Sequence, residues 1–320
     1  MSNLALQSEG ARSTDCPACP GTPVLDRIEA RAAQIGEGFT IRRALPNRQR
    51  RMVGAWCFLD HAGPADYGPG KGLHVGPHPH IGLQTFTWMM EGEVLHRDSL
   101  GYEQIIRPGQ VNLMTAGCGI AHAEDSVTED AGRLHAAQLW IALPEAERQR
   151  RLPNFQHYPD LPVLEAGGFR VTVLAGTANG QTAPTEVFSP LVGLDCTAPR
   201  AAQTAVPLNP AFEHAALVLS GQVEVAGGRL TPGTLLYLGC SREHLPLRCA
   251  APARLMLIGG KPFKEEILLW WNFVARTQEE IVKATGDWNA GRYFGEVKAS
   301  PSPRLFAPDL AGLNLKGSRI

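Results

Sequence analysis

The sequence predicts a mainly β protein built as two tandem barrels, with one helix close to its C-terminal end. Three observations carry this reading. Only 19% of the 320 residues are charged while Gly (34) and Pro (25) are abundant, a composition suited to many short strands joined by turns. Short apolar runs bounded by Gly-containing turns recur along most of the chain. A turn–strand–Pro-Gly pattern occurs twice: Met90-Glu91-Gly92-Glu93-Val94 with Arg107-Pro108-Gly109 is echoed by Leu219-Ser220-Gly221-Gln222-Val223 with Thr231-Pro232-Gly233.

Residues 1–24 are polar and small and read as a flexible arm. Cys16-Pro17-Ala18-Cys19 lies within it. A zinc ribbon would need a second Cys pair and a redox dithiol a βαβ unit, so the motif reads as plain chain; the seven scattered cysteines fit reduced thiols. Residues 25–165 form the first expected barrel, with strands at Gly54–Leu59, Gly82–Met90, Gln104–Ile106, Val111–Thr115 and Ala136–Leu143. Its last part, Pro144 to Pro162, carries interspersed charges from Glu145 to Arg151 and reads as a solvated loop. Residues 166–262 form the second barrel. In 263–300, Thr277-Gln278-Glu279-Glu280 is a capping box, followed by a stripe of Ile281, Ala284 or Thr285, and Trp288 that should pack on a barrel. Residues 301–320 read as an extended tail.

The net charge of −1 provides no basic field, so direct nucleic-acid binding is not expected. The most basic stretches, Arg42-Arg43 and Arg48-Gln49-Arg50-Arg51, read as solvated surface. No run approaches the roughly 18 apolar residues of a membrane span, and no apolar signal core is visible; a cytoplasmic location is expected.

The chemistry lies between His78 and Glu124. His78-Pro79-His80 and His122-Ala123-Glu124 each place two donor residues at i, i+2, the spacing that puts both on one face of a strand. Two such strands facing each other inside a barrel converge three imidazoles and one carboxylate, a donor set that suits a divalent transition metal and iron(II) above all; manganese, nickel, copper and zinc are compatible with it. His96, Asp98, His135 and Gln138, on neighbouring expected strands, are candidates to line the cavity. Cys118 lies four residues before His122, but Gly117 and Gly119 break the alternation that would aim it at the metal. Carried through the echo, the ligand offsets land on Pro207, Asn209, Pro246 and Arg248. The second barrel is therefore read as metal-free, with His214 and His244 nearby.

These residues together resemble the cupin superfamily and, within it, the pirin family of two-cupin proteins, over most of residues 25 to 295. Gly72 followed by His78-x-His80 matches the cupin opening pattern. Thr115 to Glu124 resembles the pirin signature, as do Gly82-Leu83-Gln84-Thr85 and Glu91-Gly92. The stretch Trp270 to Phe294, with Asn272-Phe273-Val274, Thr277 and Glu280-Ile281, is similar to the family's C-terminal segment. The resemblance implies two stacked double-stranded β-helix (jelly-roll) barrels with metal in the first alone, held by His78, His80, His122 and Glu124. Gln84 stands where many cupins have a ligand Glu, so the carboxylate must come from Glu124. Pirin-like proteins typically bind iron. Some are quercetin 2,3-dioxygenases, and in animals the family name is attached to a nuclear transcription cofactor.

The expected activity is thus an iron-dependent dioxygenase taking a flavonol-type small molecule and O2, with Glu124 as both ligand and base. The alternative is an iron-dependent regulatory module acting through a protein partner without turnover. A storage bicupin is disfavoured, because a buried polar cluster without metal is costly.

Overall fold

The computed structural model describes residues 10–36 and 39–310. Two barrels, each of a seven-stranded and a four-stranded sheet, follow one plan. In the first, the large sheet runs edge to edge through Arg31–Ile35, Phe39–Leu45, Trp56–Tyr67, Gly132–Ala142, Leu83–Glu91, Val111–Thr115 and Asn154–Tyr158. The small sheet runs through His74–His80, Ile120–Ser126, Val94–Asp98 and Glu103–Ile106. The second barrel repeats the order: Val163–Ala166, Phe169–Ala175, Leu191–Ala198, Ala253–Gly260, Glu213–Ser220, Thr234–Gly239 and Pro23–Glu29, with Ala202–Pro207, His244–Cys249, Val223–Val225 and Gly228–Leu230 opposite.

Alternation builds these layers. In the first barrel Ile41, Ala62 and Met89 of the large sheet meet Val75, Val94 and Ile106 of the small one. In the second, Val173, Leu194 and Leu236 meet Val206, Val223 and Leu245. The outer faces of the two large sheets are also apolar and pack on each other, so Trp56, Phe86 and Leu139 share a core with Leu217, Leu235 and Met256. Strands buried on both faces lose the apolar–polar alternation of a half-exposed sheet, which explains runs such as Trp56 to Ala62. Trp56 fixes the seam: its Nε1 donates to the carbonyls of Val192 and Gly259 at 3.3 and 3.2 Å.

The chain ends cross over. Pro23–Glu29 pairs with Thr234–Gly239 of the second barrel, so this segment belongs to that barrel and not to the first, as a boundary after residue 24 had it. Arg12 pairs with Leu268 of the C-terminal segment, and that segment meets the first barrel where Ile81 bridges Phe273. Of the arm's described residues, Ala11–Arg12 and the chain from Pro23 are paired, and those between are turns and irregular chain. The helix spans Gln278–Asn289; Thr277 Oγ1 accepts from the Glu280 amide and Ile281, Ala284, Thr285 and Trp288 are buried, as the capping box and stripe predict. The chain from Ser300 to Leu310 has no regular secondary structure but is anchored: Ala307 is buried, the Leu305 amide donates to the Pro77 carbonyl at 2.9 Å, and Trp288 Nε1 donates to the Leu305 carbonyl at 2.7 Å. The rest of the expected tail lies outside the described residues.

The basic cluster needs correction. Arg43 is fully buried and forms a two-pronged pair with Asp60 at 2.7 and 2.6 Å. Arg50 is buried too, stacking 3.8 Å from the Tyr237 ring centroid and donating to the Pro17 carbonyl. Arg43 ties two strands within the first barrel, while Arg50 links the second barrel and the arm. A helical turn at Glu145–Arg148 occupies the expected loop, its charges paired as Arg148–Glu145 and Arg151–Glu147.

Candidate metal centre

His78 and His80 come from the edge strand of the small sheet and His122 from its neighbour. The register sets His122 directly opposite His78. Gly117, at φ +51°, lets the chain turn tightly against the Arg151 carbonyl before the His122 strand begins at Ile120. The three imidazoles offer donor atoms that all lie within 4.8 Å of one another, and His80 Nε2 is 3.1 Å from His122 Nε2. Solvent reaches 0% of His78 and His80 and 1% of His122.

The other ring nitrogens decide the tautomers. His78 Nδ1 lies 2.9 Å from the Gly76 carbonyl and His80 Nδ1 2.9 Å from the Asn272 carbonyl, so each must carry its proton there. For His122 the decision passes through His96. Asp98 Oδ2 is 3.0 Å from His96 Nε2, which therefore donates; His96 Nδ1 is left as acceptor, 3.3 Å from His122 Nδ1. All three Nε2 atoms are thereby unprotonated and aimed at one point. Burial holds His78 and His122 well below the ordinary histidine range and His80 down to about 3, so the rings stay neutral.

This arrangement fits a bound cation. His78 Nε2 is buried without a hydrogen-bond partner, and two lone pairs face each other across the His80–His122 gap. Leaving buried acceptors unsatisfied costs on the order of 1–3 kcal/mol each, which coordination by a shared metal would offset. Glu124 is buried two residues beyond His122, past an irregularity in the strand pairing. It is not a member of the three-histidine cluster.

The other candidates divide. His96 and Asp98 stand behind His122, with Phe155 stacked on His96 at 4.2 Å. His135 and Gln138 find partners elsewhere: His135 Nε2 meets His61 Nε2 at 2.9 Å, and Gln138 Oε1 accepts from Thr87 at 2.7 Å. Their strand lies in the large sheet. Cys118 sits in the turn before the His122 strand, in a pocket it lines with Tyr293, outside the cluster. Gln84 bonds Thr115 Oγ1 and the Glu186 carbonyl. Two contributors were not visible in the sequence: the Asn272 carbonyl, and Trp140, whose ring meets His80 edge-on at 5.2 Å.

In the second barrel the register shifts the echoed positions by one. His96 opposes Glu124 four residues after Gly92; Val225 opposes Leu247 four residues after Gly221. Val206 opposes Leu245 as His78 opposes His122, and the Leu208 amide continues that pairing to the Glu243 carbonyl. The four ligand positions therefore correspond to Val206, Leu208, Leu245 and Leu247, and none offers a donor atom.

Two barrels of this order, with a convergent histidine site in the first and carbon side chains at the matching positions of the second, define a bicupin with one metal-binding barrel. The chain belongs to the pirin family: the Pirin model matches residues 38–141, and the Pirin C-terminal cupin domain model matches residues 193–294. A Pseudomonas aeruginosa relative carrying the name "Putative quercetin 2,3-dioxygenase" is 51% identical over 311 residues, covering 97% of this chain and 98% of its own. A crystal structure of quercetin 2,3-dioxygenase from Acinetobacter baumannii superposes with a TM-score of 0.87 at 50% identity, covering 89% of this chain and 95% of that one. The bacterial pirin YhhW from Escherichia coli, solved with nickel(II), shares the fold at a TM-score of 0.59 and 19% identity, covering 75% of this chain and all (100%) of its own. Among the described residues, no helix is long and apolar enough to cross a membrane.

Proposed function

We propose that this protein is an iron(II)-dependent dioxygenase of flavonol-type small molecules, with His78, His80, His122 and Glu124 as metal ligands. The observation that carries the reading is the convergence of three buried, neutral imidazoles, each with its second nitrogen committed to a fixed acceptor. Iron(II) bound there would supply Lewis acidity and open positions for an enol oxygen and O2; manganese, nickel, copper or zinc are compatible with the same donors. The names of the P. aeruginosa and A. baumannii proteins favour this substrate class.

The chain's own residues would do three things. Asp98, through His96, keeps the His122 proton on Nδ1 and its Nε2 free. Trp140 and the surrounding apolar side chains exclude water, which strengthens every charge interaction inside. The Glu124 carboxylate takes the proton of the substrate's enol hydroxyl, acting as ligand and base in turn. The reaction takes place in the cytoplasm.

The test loads metal-free protein with iron(II) anaerobically, then follows O2 uptake and loss of quercetin absorbance on mixing with air. Wild type turns over; His78→Ala loses metal and turnover. Glu124→Gln keeps some metal and loses turnover by roughly 10²-fold or more. Unchanged turnover in Glu124→Gln removes its role as base. Absence of quercetin turnover by wild type with iron bound contradicts the flavonol reading and leaves other substrates or the regulatory reading.

A further inference from the structure

Cys19, the second thiol of the Cys16-Pro17-Ala18-Cys19 motif, is held against the second barrel from both sides. Before it, the Pro17 carbonyl accepts from Arg50, whose guanidinium lies 3.8 Å from the Tyr237 ring centroid. After it, the Gly21 carbonyl accepts from Ser241 Oγ at 2.9 Å, and Pro23 pairs with Gly239. Cys240 lies between Gly239 and Ser241, the residues to which the arm is tied, and is buried. The two thiols meet there. Burial and then the neighbouring Cys19 thiol push Cys240 up to about 12, and Cys19 joins burial and Glu213 in raising the Tyr237 hydroxyl. Cys16 is engaged elsewhere: its sulfur accepts from the Arg51 amide at 3.2 Å and lies 3.5 Å from the Ser13 carbonyl. Cys19 is half-buried, and all these thiols are free in the structure.

We infer that Cys19 and Cys240 are a site of reversible oxidation, joined as a disulfide when the protein meets a hydroperoxide, and that the bond clamps the arm onto the second barrel. Cys19, the more exposed of the two, reacts first. Its sulfur attacks a peroxide oxygen and the O–O bond breaks. The sulfur becomes a sulfenic acid, and the rest of the peroxide leaves as an alcohol (water, from hydrogen peroxide) with the thiol proton. The Cys240 sulfur then attacks the Cys19 sulfur. The S–O bond breaks, and the hydroxyl departs as water with the Cys240 proton. The consequence lies in the topology. Pro23–Glu29, which begins just after Cys19, is the edge strand of the second barrel's large sheet and is paired on one side alone, to Thr234–Gly239. Edge segments open before the core does, and a covalent bond at the strand's entry holds it in place. The site is separate from the three-histidine cluster and does not depend on the activity proposed for it.

The test treats the full-length protein with hydrogen peroxide, supplied with zinc in place of iron so that the peroxide meets no redox-active metal. Free thiols are then alkylated, and the digest is read by mass spectrometry. A peptide pair linked through Cys19 and Cys240 is expected, and dithiothreitol should release it. Thermal melts of oxidised and reduced wild type should differ by roughly 5 °C or more, because a cross-link between residues so far apart in sequence restricts the unfolded chain strongly. Cys16→Ser should behave as wild type, whereas Cys19→Ser and Cys240→Ser should give neither the link nor the shift. A Cys16–Cys19 link, Cys19 oxidised without any link, or no oxidation at either thiol overturns the inference. A Cys19–Cys240 link that leaves the melt unchanged overturns the clamp. If Cys240→Ser fails to fold, Cys19→Ser, which alters a half-exposed side chain, decides.

Discussion

Asp98 sets the protonation of a ring it does not touch. Its Oδ1 is held by the amides of Leu100 and Tyr102 at 2.9 and 3.1 Å, which leaves Oδ2 for His96. In Asp98→Asn, an amide nitrogen would face His96 Nε2 and donate. His96 would then donate from Nδ1, and His122 would have to accept there and carry its proton on Nε2, where the metal should bind. Metal affinity is expected to fall roughly 10–100-fold with the fold intact, measured by chelator competition; unchanged affinity would refute the tautomer chain. The histidines themselves were legible, because i, i+2 spacing on a strand needs only local geometry. Asn272 was not: it acts through a backbone carbonyl, which every residue has, and reaches His80 across 192 positions of sequence. His135, which sequence could offer only as a candidate, proves an ordinary barrel residue whose ring meets His61.

At the scale of elements, the edge strand carrying His78 and His80 is covered by the C-terminal segment. Leu305 bonds Pro77, Ser302 Oγ donates to Asp125 at 3.2 Å, and Arg304 stacks 3.6 Å from the Trp288 ring centroid while donating to the Trp288 carbonyl. A Cβ added at Gly76 would overlap the Pro303 carbonyl. Gly76→Val should therefore lift the segment from the strand, lowering stability by roughly 1–3 kcal/mol and loosening metal binding, because His78 Nδ1 depends on the Gly76 carbonyl. Denaturant melts and metal titration measure both effects; a variant with wild-type values would show that the segment does not support the site. Composition announced this stretch as extended, rich in Pro. It could not announce the packing, since irregular chain has no period to read.

For the whole molecule, the exchange of ends makes the barrels interdependent. The second barrel's large sheet takes its edge strand from Pro23–Glu29, and the first takes Asn272 and the helix from beyond residue 262. A fragment of residues 166–320 is expected to lack a cooperative thermal transition, and co-expression with residues 1–165 to restore one. A cooperative melt by the isolated fragment would show the crossing strand to be dispensable. The two-barrel plan was legible because the turn–Pro-Gly echo repeats locally. The crossing was not, because a strand's partner depends on long-range pairing that its own alternation leaves open.

On the proposed reading, three imidazoles from two adjacent strands hold one metal, with Glu124 completing the set. X-ray absorption at the iron edge of the anaerobically loaded protein tests it most directly. The prediction is scattering from three imidazoles with the remaining donors oxygen, and the loss of one imidazole in His122→Ala. Two or fewer imidazoles in wild type, or a sulfur donor from Cys118, would contradict it.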